Sequence, residues 1–245
     1  MLLAVLLLFL CAQWEYGSAK RTVCKDKDMN CPNWVAQNST DCDVETSHTF
    51  LLCERSCQKC GGPVPAEYDL KKVPKELQQV AFLIGKWRSE FGGKAFFPTI
   101  PRFTYGEEMS VKLTHHIVQP PTLNYTAFAW DASDENITEL HSENGYIAAE
   151  MPTENSTLVY LTTAMSNGFM TVEIGDVQEN AVKFKLRKIG RISFSHDSAV
   201  RLMFREWTLL DENRLEARLI MATTVTRSLM EHTSIIYKRV YDYNS

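Results

Sequence analysis

One histidine near the C-terminus, His232, raises the first question about chemistry. It lies in the stretch MATTVTRSLMEHTSIIYKRV, where small and polar residues give way to a strand-like run. No cysteine, acidic pair or second histidine is close enough in sequence to suggest a metal cluster. On local pattern alone, a residue of this kind is usually a strand-end histidine, and the alternative is a ligand.

The cysteines form the second group with evident chemistry. One of the seven, Cys11, lies in an apolar run at the N-terminus, and the other six are clustered: Cys24, Cys31, Cys42, Cys53, Cys57 and Cys60. An even, clustered set of cysteines indicates disulfides in a chain that is exported, as the N-terminal residues of this one predict. Disulfides stabilise a unit that is too small to form a sufficient hydrophobic core. A zinc site built from Cys53, Cys57 and Cys60 is the weaker alternative, because no histidine accompanies them at zinc-finger spacing.

The first residues predict export. Leu2 to Ala12 form an apolar run too short to span a bilayer, and Gly17-Ser18-Ala19 is typical of a cleavage site. We therefore predict a signal peptide over residues 1–19 and a secreted, extracellular protein without a membrane span; a buried N-terminal helix is the alternative. Four sequons fit that compartment and predict glycosylation at Asn38, Asn124, Asn136 and Asn155.

The composition suits one real core and a smaller unit. Of 245 residues, 44% are hydrophobic, and the net charge of -4 comes from interspersed acids and bases. No basic stripe is present to attract nucleic acid. No G-x-S-x-G motif supports a catalytic triad, and the carboxylates are expected mainly on solvent-facing strand faces and in turns.

The elements that would position these residues are mostly strands. After the glycine- and proline-rich linker at 61–73, a short helix is predicted from Pro74 to Gly85. Beyond it, apolar and polar residues alternate, as in Met170-Thr171-Val172-Glu173-Ile174, whose apolar members are expected to face inward. Roughly ten such runs separated by turn signals predict an antiparallel β-barrel with an apolar interior that can hold a ligand.

The segment 24–60 resembles the ShK domain, the sea-anemone-toxin-like module. The resemblance rests on the ending CERSCQKC, on Asp26 and on six cysteines in order. It implies the pairs Cys24–Cys60, Cys31–Cys53 and Cys42–Cys57, among which spacing alone does not choose. The channel-blocking Lys-Tyr pair of the toxins is missing from DVETSHTFLL. A structural or interaction module for an extracellular protein partner is therefore the better interpretation.

Residues 74–245 resemble the nitrobindin family of haem-binding barrels, which are related in shape to fatty-acid-binding proteins. Five stretches carry the resemblance in order: FLIGKW, FPTI, HSENGY, GRISF and MATT…EH…YKRV. Ser89 and Phe91 replace family glycines, and Phe97 replaces a tyrosine. The bulky Phe91 is expected to narrow the pocket, whereas Trp87 is expected to close the barrel floor.

The resemblance implies that His232 is the proximal ligand of a haem b iron and that Thr99 lies beside the haem. One histidine is enough, because the porphyrin supplies four nitrogens and the opposite face stays open for a small molecule. Nitric oxide or a related species is the expected ligand, and peroxynitrite isomerase is the implied activity. The alternatives are an extracellular carrier of a fatty acid or other apolar ligand without haem, and a non-catalytic extracellular interaction protein.

Other residues receive structural interpretations. His141 is expected to pack with Glu143 at the start of a strand. The adjacent pair His115-His116 would point to opposite faces of a strand and could not easily clamp one metal. Three methionines on predicted strands are expected in the core or pocket wall rather than as axial ligands: Met170, Met203 and Met221.

Overall fold

The computed structural model describes residues 25–44, 46–57, 64–98, 100–114, 120–133, 138–151, 153, 158–193, 195 and 197–241. The predicted signal peptide lies outside the described residues, as do several residues singled out in the sequence: Cys24, Cys60, Thr99, His115, His116, Asn136 and Asn155. Within the described ranges, no helix is both long and apolar enough to cross a membrane.

The N-terminal part is a small module held by disulfides. Helix α1 (Cys31–Gln37), a 3-10 turn (Ser39–Asp43) and helix α2 (His48–Leu52) form it. Ser47 caps α2, since its hydroxyl accepts a hydrogen bond from Phe50 N at 2.9 Å. Two of the predicted pairs are confirmed, Cys31–Cys53 and Cys42–Cys57. The third predicted pair, Cys24–Cys60, lies outside the described residues.

Three 3-10 helices lead into the main domain: Ala66–Tyr68, Leu70–Lys72 and Lys75–Leu83. The last occupies the position of the predicted helix, with 3-10 rather than α geometry. Its apolar residues Leu77, Val80 and Leu83 are fully buried in the core that also holds Trp87. The segment therefore packs its apolar residues into the core next to the first strand.

Ten antiparallel strands in the described part of the chain close into a barrel, which confirms the predicted fold class. They are β1 (Gly85–Ala95), β2 (Phe103–Leu113), β3 (Thr122–Asp131), β4 (Glu139–Ala149), β5 (Leu158–Met165), β6 (Phe169–Gln178), β7 (Ala181–Arg191), β8 (Val200–Asp211), β9 (Arg214–Thr223) and β10 (Met230–Arg239). Each pairs with its neighbour in sequence, and β10 returns to pair with β1. Closure leaves no free sheet edge in this ladder.

Trp87 is completely buried within the core. Its indole nitrogen donates to Leu83 O at 2.8 Å. The guanidinium of Arg239 lies 4.1 Å from the Trp87 ring centroid. The tryptophan therefore joins the 3-10 helix, β1 and β10.

The predicted orientation of β6 is wrong. Thr171 and Glu173 are buried, whereas Met170 and Val172 are 53% and 37% exposed. Met170 is therefore neither core nor pocket wall. The physical reason is that the barrel interior contains a polar network to which Thr171 and Glu173 belong, so the apolar members of the alternating pattern face outward. The other two methionines, Met203 and Met221, line the interior cavity as expected.

The disulfide module contacts the barrel at the pairing of β1 with β10. Arg55 Nη2 donates to the main-chain oxygens of Arg88 and Lys238, at 2.8 and 2.7 Å. Its Nη1 lies 3.6 Å from a carboxylate oxygen of Glu90. Beyond Arg88 and Lys238 the register of the two strands shifts. Arg55 therefore supplies donors at the point where regular strand pairing stops.

Candidate functional site

The barrel encloses a cavity of about 560 Å³. Its walls are largely apolar and aromatic, with residues that include Phe97, Ile100, Phe103, Met203, Met221 and Val225. Phe91 is not among the described residues that line this cavity, so the expected narrowing of the pocket is wrong. Phe91 lines instead a smaller cavity against the disulfide module. The reason is a register shift in β1 between Ser89 and Gly93, which places extra residues there.

His232 lies in a β-bulge at the start of β10. Glu231 pairs with Ile220 of β9. Thr233 pairs with the next residue of β9, Leu219, so His232 is the extra residue between them. The bulge brings two consecutive side chains, His232 and Thr233, to the same cavity, although a regular strand would direct them to opposite faces.

The His232 side chain is held on several sides. Only 1% of the residue is exposed. Its Nδ1 lies 3.0 Å from Met230 O, and its own carbonyl accepts from Phe96 N at 2.7 Å. The Phe97 ring meets the imidazole edge to face, with centroids 5.4 Å apart. If Nδ1 carries the proton and donates to the carbonyl, Nε2 has a lone pair for a metal.

A buried ionic network lies on the wall of the same barrel. Arg205 Nη1 lies 3.0 Å from Glu143 Oε2, and Arg205 Nε lies 3.4 Å from Glu173 Oε2. Tyr125 donates to Glu143 at 3.2 Å. Burial alone would raise the pKa of Glu143, but Arg205 and His141 lower that pKa to about 2. Arg205 is thus shared between two carboxylates, and both of these ionic partners lie within the network.

His141 belongs to this network and also lines the cavity. Its Nε2 lies 3.1 Å from Glu143 Oε1. Burial opposes the charged imidazolium, but the hydrogen bond and the charge of Glu143 outweigh it and raise the pKa of His141. The predicted contact with Glu143 is thus present, and the histidine also faces the interior space.

Glu107 is a second carboxylate in the cavity wall. Burial, followed by the charge of Glu143, raises the pKa of Glu107 to about 7. Tyr105 and Tyr237, which also line the cavity, have raised pKa values because they are buried near Glu107. The cavity therefore contains a carboxyl group that is largely protonated at slightly acidic pH.

The sequence-based expectation that the interior is apolar and the carboxylates are solvated is wrong for these residues. Glutamates are common in strands with alternating polar and apolar residues, so a glutamate in such a strand does not by itself indicate an inward-facing carboxylate. The available signal was Arg205, which stands two residues from Met203 on one side and Trp207 on the other. All three are buried, and a charged residue between two inward-facing apolar residues indicates an interior ion pair.

Single-histidine coordination fits the described residues. No group of three or more histidine, cysteine, aspartate or glutamate side chains among them could hold a metal ion. Of the described histidines, His141 and His232 line the cavity, while His48 is exposed on α2. Thr99 lies outside the described residues, but its neighbours Pro98 and Ile100 line the cavity.

The fold and the cavity define a ligand-binding antiparallel β-barrel, and residues 76–239 match the family model of the THAP4-like, heme-binding beta-barrel domain. The chain belongs to this family. The Caenorhabditis elegans protein C28H8.5 is 58% identical over 93% of this chain and 76% of its own length.

Two further similarities concern the barrel. Peroxynitrite isomerase THAP4 of Rattus norvegicus is 30% identical over 73% of this chain, which spans only 30% of that relative. The crystal structure of Rv2717c from M. tuberculosis has 26% sequence identity and a TM-score of 0.56. The match covers 69% of this chain and 99% of the bacterial one, so the barrel is the shared part.

Proposed function

We propose that the barrel binds haem b through His232 and presents the open coordination position to nitric oxide or a related nitrogen species. The observation that carries this proposal is the bulge that turns a fully buried His232 toward the cavity. Nδ1 is engaged by Met230 O, so Nε2 remains for the metal.

The surroundings of His232 suit a flat, apolar group. The cavity volume of about 560 Å³ lies in the range of small-molecule and cofactor sites. Phe97 fixes the imidazole plane by its edge-to-face contact. A role for Thr99 beside the haem rests on the family resemblance alone. When bound, a ferric haem supplies an electrophilic iron at which small ligands react; the chain's part is to hold it, exclude water and orient the ligand.

We further propose peroxynitrite isomerisation to nitrate as the reaction. The support is membership of the haem-binding family together with the name of the mammalian relative, peroxynitrite isomerase. The chain spans less than a third of that relative, so the activity is assigned here to the barrel alone. Stopped-flow decay of peroxynitrite with the haem-loaded protein tests it. A nitrate yield above that of free haem would support the assignment, and a yield equal to it would contradict the assignment.

A carrier of fatty acids without haem is the weaker candidate. Such a ligand needs a cation for its carboxylate, and the buried Arg205 is already paired with Glu143 and Glu173. The ligand's carboxylate would add negative charge to a cavity wall that already holds Glu107 and Glu143. An apolar ligand without a carboxylate meets no such objection. Extraction of the purified protein and mass spectrometry of the extract distinguish these cases.

We also propose that the protein is secreted and that residues 24–60 form an ShK-like interaction module. Two disulfides among the described residues suit an oxidising compartment. Asn38 is exposed at the end of α1, and Asn124 is half-buried on β3. Asn38 is therefore the better glycosylation site of these two. N-terminal sequencing of protein secreted by animal cells tests cleavage before Lys20, and glycosidase treatment tests the sequons.

A further inference from the structure

His141 and His232 lie on facing walls of the barrel. Going around the barrel from β10, the strand β4 is four steps away through β1 and six steps away through β9. Since all neighbours are antiparallel, β4 and β10 run in the same direction. Each histidine is the third residue of its strand, so both lie toward the same end of the barrel. Both line the same cavity.

His141 is held differently from an ordinary surface histidine. Glu143 engages its Nε2 at 3.1 Å, and Glu143 is in turn fixed by Arg205 at 3.0 Å and by Tyr125 at 3.2 Å. The side chain of Glu143 is 9% exposed, whereas that of His141 is 34% exposed. The carboxylate is thus buried behind the imidazole, which remains open on one side.

The nitrogen left for a ligand is Nδ1. The contact with Glu143 uses Nε2. None of the described residues hydrogen-bonds to Nδ1. An imidazolium whose second N–H points away from its carboxylate partner is an anion donor that needs no rearrangement to act. Arg205 cannot take this role, since two carboxylates already surround it.

We propose that His141 contacts the ligand from the wall opposite His232 and donates a hydrogen bond to a small anion. This inference rests on the proposed haem function, because the haem iron is the other group that would bind the anion. It assigns to Glu143 the role of a positioning residue, which orients His141 and favours its charged form. The titratable groups on other strands that interact with His141 or Glu143 are Tyr105 and Glu107 of β2, Tyr125 of β3, Glu173 of β6 and Arg205 of β8.

The test uses sodium azide as the probe and the full secreted chain. Azide is titrated into the ferric haem protein and the absorption change is followed for the wild type, for His141→Phe and for His141→Gln. We expect His141→Phe to weaken azide binding about tenfold, in keeping with loss of a hydrogen bond to a charged group. His141→Gln keeps an N–H donor and should recover part of the loss. The matched control is His48→Phe on α2, which should bind azide as the wild type does.

Haem affinity is measured for the same proteins, so that a failure of the His141 proposal can be distinguished from a failure of the haem proposal. An unchanged haem affinity with unchanged azide binding in His141→Phe would overturn the role of His141 and leave the haem proposal intact. If the wild type binds no haem, azide is titrated into the haem-free protein and the His141 imidazole is followed by NMR. A saturable shift at His141 that is absent from His48 then supports the anion site, and no shift overturns it.

Discussion

The Nδ1 atom of His232 lies 3.0 Å from the main-chain oxygen of Met230, two residues earlier in the same strand. The contact is local, so the bulge that turns His232 inward also supplies the partner for one ring nitrogen. A single stretch of backbone thereby sets both the direction of the side chain and the nitrogen offered to a metal. The remaining elements of the site determine what surrounds that nitrogen.

Phe97 should hold the plane of the imidazole. We expect Phe97→Leu, which retains an apolar side chain but loses the edge-to-face contact, to speed haem dissociation about threefold, since such aromatic pairs contribute roughly 0.5–1.5 kcal/mol. Haem transfer to apomyoglobin measures the rate. Phe128→Leu on β3, outside the cavity lining, is the control, and an equal effect in both variants would contradict this role.

Arg205 should be essential for the folded barrel. Arg205→Met leaves Glu143 and Glu173 buried without a cation, and breaking such a network costs on the order of 3–5 kcal/mol. Urea unfolding followed by circular dichroism measures the loss. Arg201→Met, at an exposed position on the same strand, should change little. Combining Arg205→Met with Glu143→Gln and Glu173→Gln should recover part of the stability, because the unpaired charges are then removed.

Glu107 should make the protein less stable as the pH rises from 4.5 to about 7. Its pKa is raised from the ordinary 4.5 to about 7 in the folded state, so the folded protein binds more protons than the unfolded chain between these values. The free energy of unfolding contributed by this group is therefore present below pH 4.5 and is lost as the pH rises toward 7. Glu107→Gln should flatten that slope in urea titrations at several pH values. An unchanged slope, or an equal change in the exposed variant Glu54→Gln, would count against the assignment.

Arg55 should couple the disulfide module to the barrel. Arg55→Gln removes a charged donor from the main-chain oxygens of Arg88 and Lys238, a loss of about 2–3 kcal/mol for bonds of this type. Hydrogen exchange should quicken in β1 and β10 near these residues and stay unchanged in β5 and β6. Lys27→Gln, exposed on the same module, provides the control. Exchange that is unaltered in β1 and β10 would show that the module does not support the strand pair.

The barrel was predictable because its signals are local. Alternation such as Val182-Lys183-Phe184 and the turns between strands follow from the backbone period of two. The two disulfides that the described residues contain were predicted only through the ShK resemblance. The orientation of β6 was not predictable in this way. Thr171 and Glu173 face inward because Arg205, distant in sequence, needs a partner there. Such a long-range pairing leaves no trace in the pattern of one strand.

The position of His232 was predicted only through resemblance. Nothing in the letters around it marks a bulge, since the extra residue is defined by the pairing of Glu231 and Thr233 with β9. The outward direction of Phe91 has a similar origin, in the shift of β1 against β2. Register is a property of two strands together, so a single strand sequence does not determine it.

We propose His232 as the single protein ligand of a haem iron. The most direct measurement is the absorption spectrum of the chain expressed with haem available, for the wild type, His232→Gly and the control His48→Gly, with circular dichroism to verify folding. We predict a Soret band in the wild type and the control, its loss or shift in His232→Gly, and its return when free imidazole is added to that variant. A folded His232→Gly protein that keeps the wild-type Soret band without imidazole would contradict the claim.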